Sequence, residues 1–252
     1  MAEKEETKIT NLEQAQLDFI STVSHELRTP LTSIRGFADT LLTSGDRLTP
    51  EQKEKFLLII KEQSNRLINL VENLLTASKV KLGEEVFVYK SVVPNSYIDL
   101  CVKMLKQKYP AHNFVVESEK NILPILIDTD KFQQIIINLL DNAAKYSPEN
   151  SEIKVKITQN ISKNLVNIAI SDKGAGISED NIPKIFKRFS RTDSPLTRTV
   201  QGNGLGLFIT KNLTEKMNGE ISVQSELNKG STFFLTFPAA QVDDPCSKKL
   251  KE

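Results

Sequence analysis

The sequence predicts an α+β protein in two parts: a two-helix hairpin that dimerises into a four-helix bundle, followed by an α/β sandwich. Three observations carry this expectation. Apolar residues recur in steps of three and four over the first third of the chain, the pattern changes around Leu82-Gly83-Glu84-Glu85, and short β-type segments then alternate with helical ones. At 252 residues and 39% hydrophobic content, the chain can build a core for each part.

Along the first helix, Leu17, Ile20, Val23, Leu27, Leu31, Ile34, Ala38 and Leu41 mark one face, and Gly45 with Asp46 ends it. Thr49-Pro50-Glu51-Gln52 then combines an N-cap, a proline at the first helical position and a glutamine at the third, which predicts a second helix start. Its stripe runs Phe56, Ile60, Gln63, Leu67, Leu70, Leu74, Ala77. Two such helices joined by a short turn cannot enclose a core, so the hairpin is expected to pair with a second copy as a homodimer. Further on, strands are expected near 86–90, 113–117, 153–159, 165–171, 220–225 and 231–237. Helices are expected near 95–108, 129–146 and 204–218, with a shorter one near 181–188. The domains read as 1–16, a lead-in helix or linker; 17–82, the hairpin; 83–240, the sandwich; and 241–252, a flexible polar tail.

Composition excludes several classes. With 33 Lys+Arg against 32 Asp+Glu the net charge is +1, which gives no basis for a large basic surface, and no nucleic-acid partner is expected. Cys101 and Cys246 are too few for a disulfide scaffold or a four-cysteine zinc site, and only His25 and His112 could supply imidazole. No run of about 18 apolar residues occurs, so no membrane segment is expected in this chain. The first ten residues, MAEKEETKIT, lack the apolar centre of a signal peptide.

Chemistry concentrates in two places. His25 lies two residues from both Val23 and Leu27, about 200° round the helix from each, and so points away from the core stripe. Thr29 shares its face, Glu26 is its neighbour, and Pro30 lacks the N–H that would bond the Glu26 carbonyl, which predicts a kinked or loosened helix. Elsewhere, Asn138 and Asn142 are four apart on one helix, with Lys145 and Tyr146 a turn later. Amide oxygens suit Mg²⁺, and a lysine can hold phosphate. Five of the ten glycines (Gly174, Gly176, Gly202, Gly204, Gly206) fall within 33 residues. Asp172-Lys-Gly174-Ala-Gly176 follows an apolar strand, and Gly202-Asn-Gly204-Leu-Gly206 opens a helix, where backbone N–H groups can approach phosphate.

The string His25-Glu26-Leu27-Arg28-Thr29-Pro30 resembles the H box of the sensor histidine kinases of two-component systems. Asn138 to Tyr146, Asp172 to Gly176, Phe186 with Phe189, and Gly202 to Gly206 resemble the N, G1, F and G2 boxes of that family, in the same order. The resemblance covers roughly residues 15 to 238 and implies a Bergerat-type ATP-binding sandwich after the hairpin. It implies that His25 accepts the γ-phosphoryl group of ATP, that Glu26 acts as general base, and that Thr29 positions water for dephosphorylation of a partner. It further implies that Asp172 accepts a hydrogen bond from the adenine amino group while Gly174 and Gly176 shape the base pocket. Asn142 would bind Mg²⁺ with Asn138 beside it, and Lys145 and Tyr146 would contact the nucleotide. Gly202, Gly204 and Gly206 would flank the phosphates, and residues 190–201 would form a lid from which Arg191 meets phosphate. The implied partner is a response-regulator receiver domain, docking near Ser33 and Phe37. The implied setting is cytoplasmic, as a protein in its own right or as the cytoplasmic part of a membrane sensor. The alternatives are an ATPase of the wider superfamily, which usually carries glutamate at the position of Asn138, and a dimeric ATP-binding scaffold without phosphotransfer.

Overall fold

The computed structural model describes residues 2–82, 86–190 and 204–240. Their contacts separate them into two compact units that divide between Leu75 and Thr76.

The first unit is a helical hairpin. Helix α1 (Ala2–Ser44) continues unbroken past residues 16 and 17, so the expected lead-in is part of the same helix. A single 3₁₀ turn, Gly45–Arg47, precedes α2 (Pro50–Leu82). The start of α2 is a reciprocal capping box: the Thr49 N–H donates to Gln52 Oε1 at 2.9 Å, and the Gln52 N–H donates to Thr49 Oγ1 at 3.3 Å. Across the turn, the Phe37 and Phe56 rings pack at 5.1 Å, which commits Phe37 to the hairpin interior side. Leu70 is buried on α2, whose residues from Thr76 onward, with the buried Ala77, belong to the second unit. Ile20 and Leu31, both expected in the α1 core stripe, are more than half exposed, and so are Leu57, Ile68 and Leu75 of α2. One hairpin has too few neighbours to cover both stripes, so an apolar surface remains open along it.

The second unit is a two-layer sandwich. In chain order it contains β1 (Tyr89–Val92), α3 (Asn95–Lys108), β2 (Asn113–Ser118), β3 (Ile125–Asp128), α4 (Thr129–Tyr146) and β4 (Glu152–Asn160). Then follow β5 (Leu165–Ser171), α5 (Gly206–Lys216), β6 (Glu220–Glu226) and β7 (Gly230–Pro238). Five strands form one sheet in the order β2-β4-β5-β7-β6, with β2 and β4 parallel and the other pairs antiparallel. Alternation fixes which side faces the helices. Ile157 pairs with Ile168, and Ile168 with Leu235, all fully buried, whereas the intervening Lys156, Asn167 and Thr236 lie on the other face. On α4, Phe132, Ile135, Ile136, Leu139 and Leu140 are fully buried, and the Phe132 ring meets Phe237 edge-on at 5.8 Å.

Three expectations shift. The first strand lies at Tyr89–Val92, later than 86–90. An additional strand, β3, pairs antiparallel with β1. In place of the short helix expected near 181–188 there is a run of tight turns, in which Pro183 has no N–H to contribute to a helical ladder.

Asp128 joins this small ribbon to α4. Its Oδ1 accepts the N–H groups of Asp130 and Lys131 at 3.0 and 3.1 Å, and its Oδ2 accepts that of Val88 at 2.8 Å. One buried carboxylate therefore caps the helix and fixes the chain entering β1. Replacement Asp128→Ala is expected to lower the unfolding free energy of this unit by about 2 kcal/mol. An unchanged urea midpoint would show that the cap contributes nothing.

Candidate functional site

On the hairpin, α1 brings His25, Glu26 and Thr29 together as the spacing requires. His25 is exposed, and its imidazole makes no hydrogen bond to another described residue. Glu26 is half-buried, with Oε2 3.4 Å from Arg66 Nη2 of α2. Arg66 was not among the residues singled out from the sequence, yet a signal for it exists. An antiparallel hairpin pairs residues equidistant from its turn, and 26 and 66 lie symmetrically about Asp46. The Thr29 hydroxyl donates to the His25 carbonyl at 3.3 Å, a four-residue back-bond along the helix. The helix continues through Pro30, which is buried.

In the sandwich, a pocket opens between α4 and the loop after β5. Asn142, Ala143 and Tyr146 form one wall, and Asp172, Ala175, Gly176 and Ile177 form another. Ile185, Ser190, Leu207, Ser231 and Phe233 complete it, so the lining is mainly apolar with a few polar groups. Asp172 is held through one oxygen: Oδ1 accepts the backbone N–H of Gly174 at 2.8 Å and that of Ser231 at 3.2 Å. Its Oδ2 accepts nothing from the described residues. Burial pushes this carboxyl above the usual aspartate range, and the two N–H groups oppose that shift without cancelling it.

The glycines have separate reasons. Gly176 has φ +67°, and a Cβ there would overlap the Glu226 carbonyl. A Cβ on Gly206 would strike the Asn138 amide, so the first turn of α5 lies directly against α4. Gly174 lies beside the Tyr146 carbonyl, which accepts the Ala175 N–H at 3.1 Å, and Gly204 lies against the Phe189 backbone.

The structure distinguishes the two asparagines. Asn138 Nδ2 donates to the buried Thr210 Oγ1 at 2.7 Å, tying α4 to α5 outside the pocket lining. Asn142 lines the pocket, and its amide has no partner among the described residues. Lys145 does not line the pocket: its Nζ is 2.5 Å from Asp141 Oδ2. Lys108 Nζ and the Tyr109 hydroxyl reach Asp141 Oδ1 at 2.7 and 2.8 Å. Burial acts to raise the Asp141 carboxyl, but Lys145 and Lys108 together hold it below the usual range. Arg191 and Gly202 lie outside the described residues, as do most of the expected lid and the segment 241–252. His112 is structural, with Nδ1 3.3 Å from Ser151 Oγ and its ring edge-on to Tyr109 and Phe114. No helix among the described residues is long and apolar enough to cross a membrane.

Comparison with known proteins agrees with this division. Residues 15–83 match the His Kinase A (phospho-acceptor) domain, and residues 127–241 match the histidine kinase-, DNA gyrase B- and HSP90-like ATPase domain. The sensor protein kinase WalK of Staphylococcus haemolyticus is 34% identical over 241 residues, which cover 94% of this chain and 39% of that protein. The sensor protein SrrB of Staphylococcus aureus is 35% identical over 231 residues, covering 90% of this chain and 39% of that protein. The chain thus spans well under half the length of these relatives. In fold it resembles the histidine kinase ThkA, solved in complex with the response regulator protein TrrA, with a TM-score of 0.71 at 24% identity. That match covers 94% of this chain and 66% of the other. With a phospho-acceptor hairpin followed by this ATPase-type sandwich, the chain belongs to the sensor histidine kinase family, of which it comprises the catalytic core.

Proposed function

We propose that the chain autophosphorylates His25 from ATP and passes the phosphoryl group to an aspartate of a response-regulator receiver domain. The observation that carries this reading is the state of His25: an exposed imidazole with no described partner, next to a carboxylate that Arg66 holds in place. A neutral ring nitrogen attacks the γ-phosphorus as the bond to the β–γ bridging oxygen breaks. ADP leaves with that electron pair, and Glu26 accepts or orients the proton on the other nitrogen. Thr29 then serves the reverse task of positioning water for dephosphorylation of the partner.

The pocket suits an adenine nucleotide. Ala143, Ala175, Ile177, Ile185 and Phe233 offer apolar walls to a flat base. Asp172 Oδ2 is a fixed acceptor for the base's amino group. The N-terminus of α5 at Gly206, with Gly204 just ahead of it, is the proposed place for phosphate, where the helix dipole favours an anion. Among the described residues no three His, Cys, Asp or Glu side chains converge, so Mg²⁺ would rest on the Asn142 amide oxygen together with phosphate and water oxygens. When bound, the metal neutralises charge on the phosphates. Lys145, Tyr146, Arg191 and Gly202 remain proposed nucleotide contacts. Asparagine at position 138 cannot serve as a base for water, and here it is engaged with Thr210, which disfavours the ATPase alternative.

The open apolar stripes of the hairpin support a homodimeric four-helix bundle, and the exposed surface beside His25 is the proposed docking site for the receiver domain. A cytoplasmic location follows from that partnership.

Incubation with γ-labelled ATP and Mg²⁺ is expected to give acid-labile, base-stable label that His25→Gln abolishes. Label persisting in that variant would refute His25 as the acceptor. In Asp172→Asn, the backbone N–H pair claims the amide oxygen and leaves the NH₂ facing the adenine amino group, donor against donor. Loss of a charged hydrogen bond worth about 1.5–3 kcal/mol weakens nucleotide Kd roughly ten- to a hundredfold, measurable by calorimetry. Ile68→Glu places a charge on the open stripe of α2 and is expected to halve the mass seen by light scattering, whereas an unchanged mass would remove this face from the interface.

A further inference from the structure

Asp141 lies outside the pocket but one residue from Asn142, which lines it. Three donors converge on its carboxylate. Lys145 Nζ takes Oδ2 at 2.5 Å, while Lys108 Nζ and the Tyr109 hydroxyl share Oδ1 at 2.7 and 2.8 Å. Two ammonium groups on one carboxylate leave a surplus positive charge. The two lysines also differ in origin. Lys145 is on α4 between pocket-lining residues Asn142 and Tyr146, whereas Lys108 ends α3 and Tyr109 follows it.

Breaking an isolated, largely buried ion pair would strand a charge, at a heavy penalty. Here the penalty is avoided, because Lys108 and Tyr109 reach Asp141 from a different helix and do not depend on Lys145. Lys145 is therefore a cation beside the pocket that can leave its partner without leaving that partner unpaired.

We propose that Asp141 sets the affinity for nucleotide phosphates by competing for Lys145: it holds the ammonium away from the pocket in the unliganded protein and yields it to the phosphates on binding. Lys108 and Tyr109 keep the carboxylate satisfied after the exchange. This rests on reading the pocket as an adenine-nucleotide site with Lys145 as a phosphate contact. Asp141 is a positioning residue, since it acts only through Lys145.

The test is a double-mutant cycle in the full chain, reading the Kd of Mg²⁺-AMP-PNP by titration calorimetry in wild type, Asp141→Asn, Lys145→Met and the double variant. Asparagine keeps an oxygen for Tyr109 but gives up the charge that retains Lys145. Asp141→Asn is expected to tighten binding about fivefold, and this gain is expected to vanish in the Lys145→Met background. A gain of equal size in both backgrounds, no change, or weaker binding in Asp141→Asn would overturn the proposal. Lys108→Met supplies an independent arm should Asp141→Asn melt early: with Asp141 more dependent on Lys145, binding is expected to weaken, and unchanged affinity would overturn the exchange. If wild type fails to bind, the nucleotide reading itself falls. If wild type binds but Lys145→Met is neutral, only the role of Lys145, and with it this proposal, is refuted.

Discussion

The rotational setting of α4 governs the arrangement around the pocket. Phe132, Ile135, Ile136, Leu139 and Leu140 are fully buried, and each contributes about 1.5–3 kcal/mol on removal from water. Turning the helix by one residue would expose most of that face, a loss comparable to the net stability of a whole domain. With that face committed, the polar residues have no freedom of azimuth. Asn142 and Tyr146 fall on the pocket wall, Asn138 falls against α5, and Asp141 with Lys145 falls toward α3. Five polar side chains within nine residues thus serve three different neighbours because one apolar stripe admits a single orientation.

Much of this was legible in the sequence, for identifiable reasons. Period and caps are local properties, so the hairpin and the start of α2 at Thr49-Pro50 could be read directly. The glycine cluster stood out because backbone crowding is recorded as the absence of a side chain, as at Gly176 and Gly206. What escaped is what depends on distant neighbours. Strand β3 is three apolar residues and Asp128, passing straight into a helix with no alternation to mark it, and only its pairing with β1 makes it a strand. Ser231 and Phe233 reach the pocket through the β5–β7 register, which no spacing within either strand reveals. Lys145 could be placed on the correct helix, but its rotamer is decided by Asp141, Lys108 and Tyr109, the latter two more than thirty residues earlier.

The two units satisfy their apolar residues to different degrees. In the sandwich the stripes close on one another within a single chain, and Phe132, Leu235 and Phe237 are sealed. In the hairpin, Leu31, Leu57, Ile68 and Leu75 remain open although the helices are long and the start of α2 is well capped. Length adds surface to a helix pair in proportion to its core, so a longer hairpin does not become better covered. The site on this unit accordingly sits on an element whose packing the single chain leaves incomplete.

The anchoring of Asp172 has a bearing on how such a site can change over generations. Both groups that orient the carboxylate are main-chain N–H groups, from Gly174 and Ser231, and every residue except proline supplies one. Substitution at position 231 can alter the bond its side chain makes to Ser225 while leaving the orientation of Asp172 intact. The proposed base contact thus hangs on one side chain supported by main-chain groups, and what its neighbours must keep is the path of the backbone, at Gly174 and Gly230 by having no side chain at all, since a Cβ there would overlap the Tyr146 and Asp172 carbonyls.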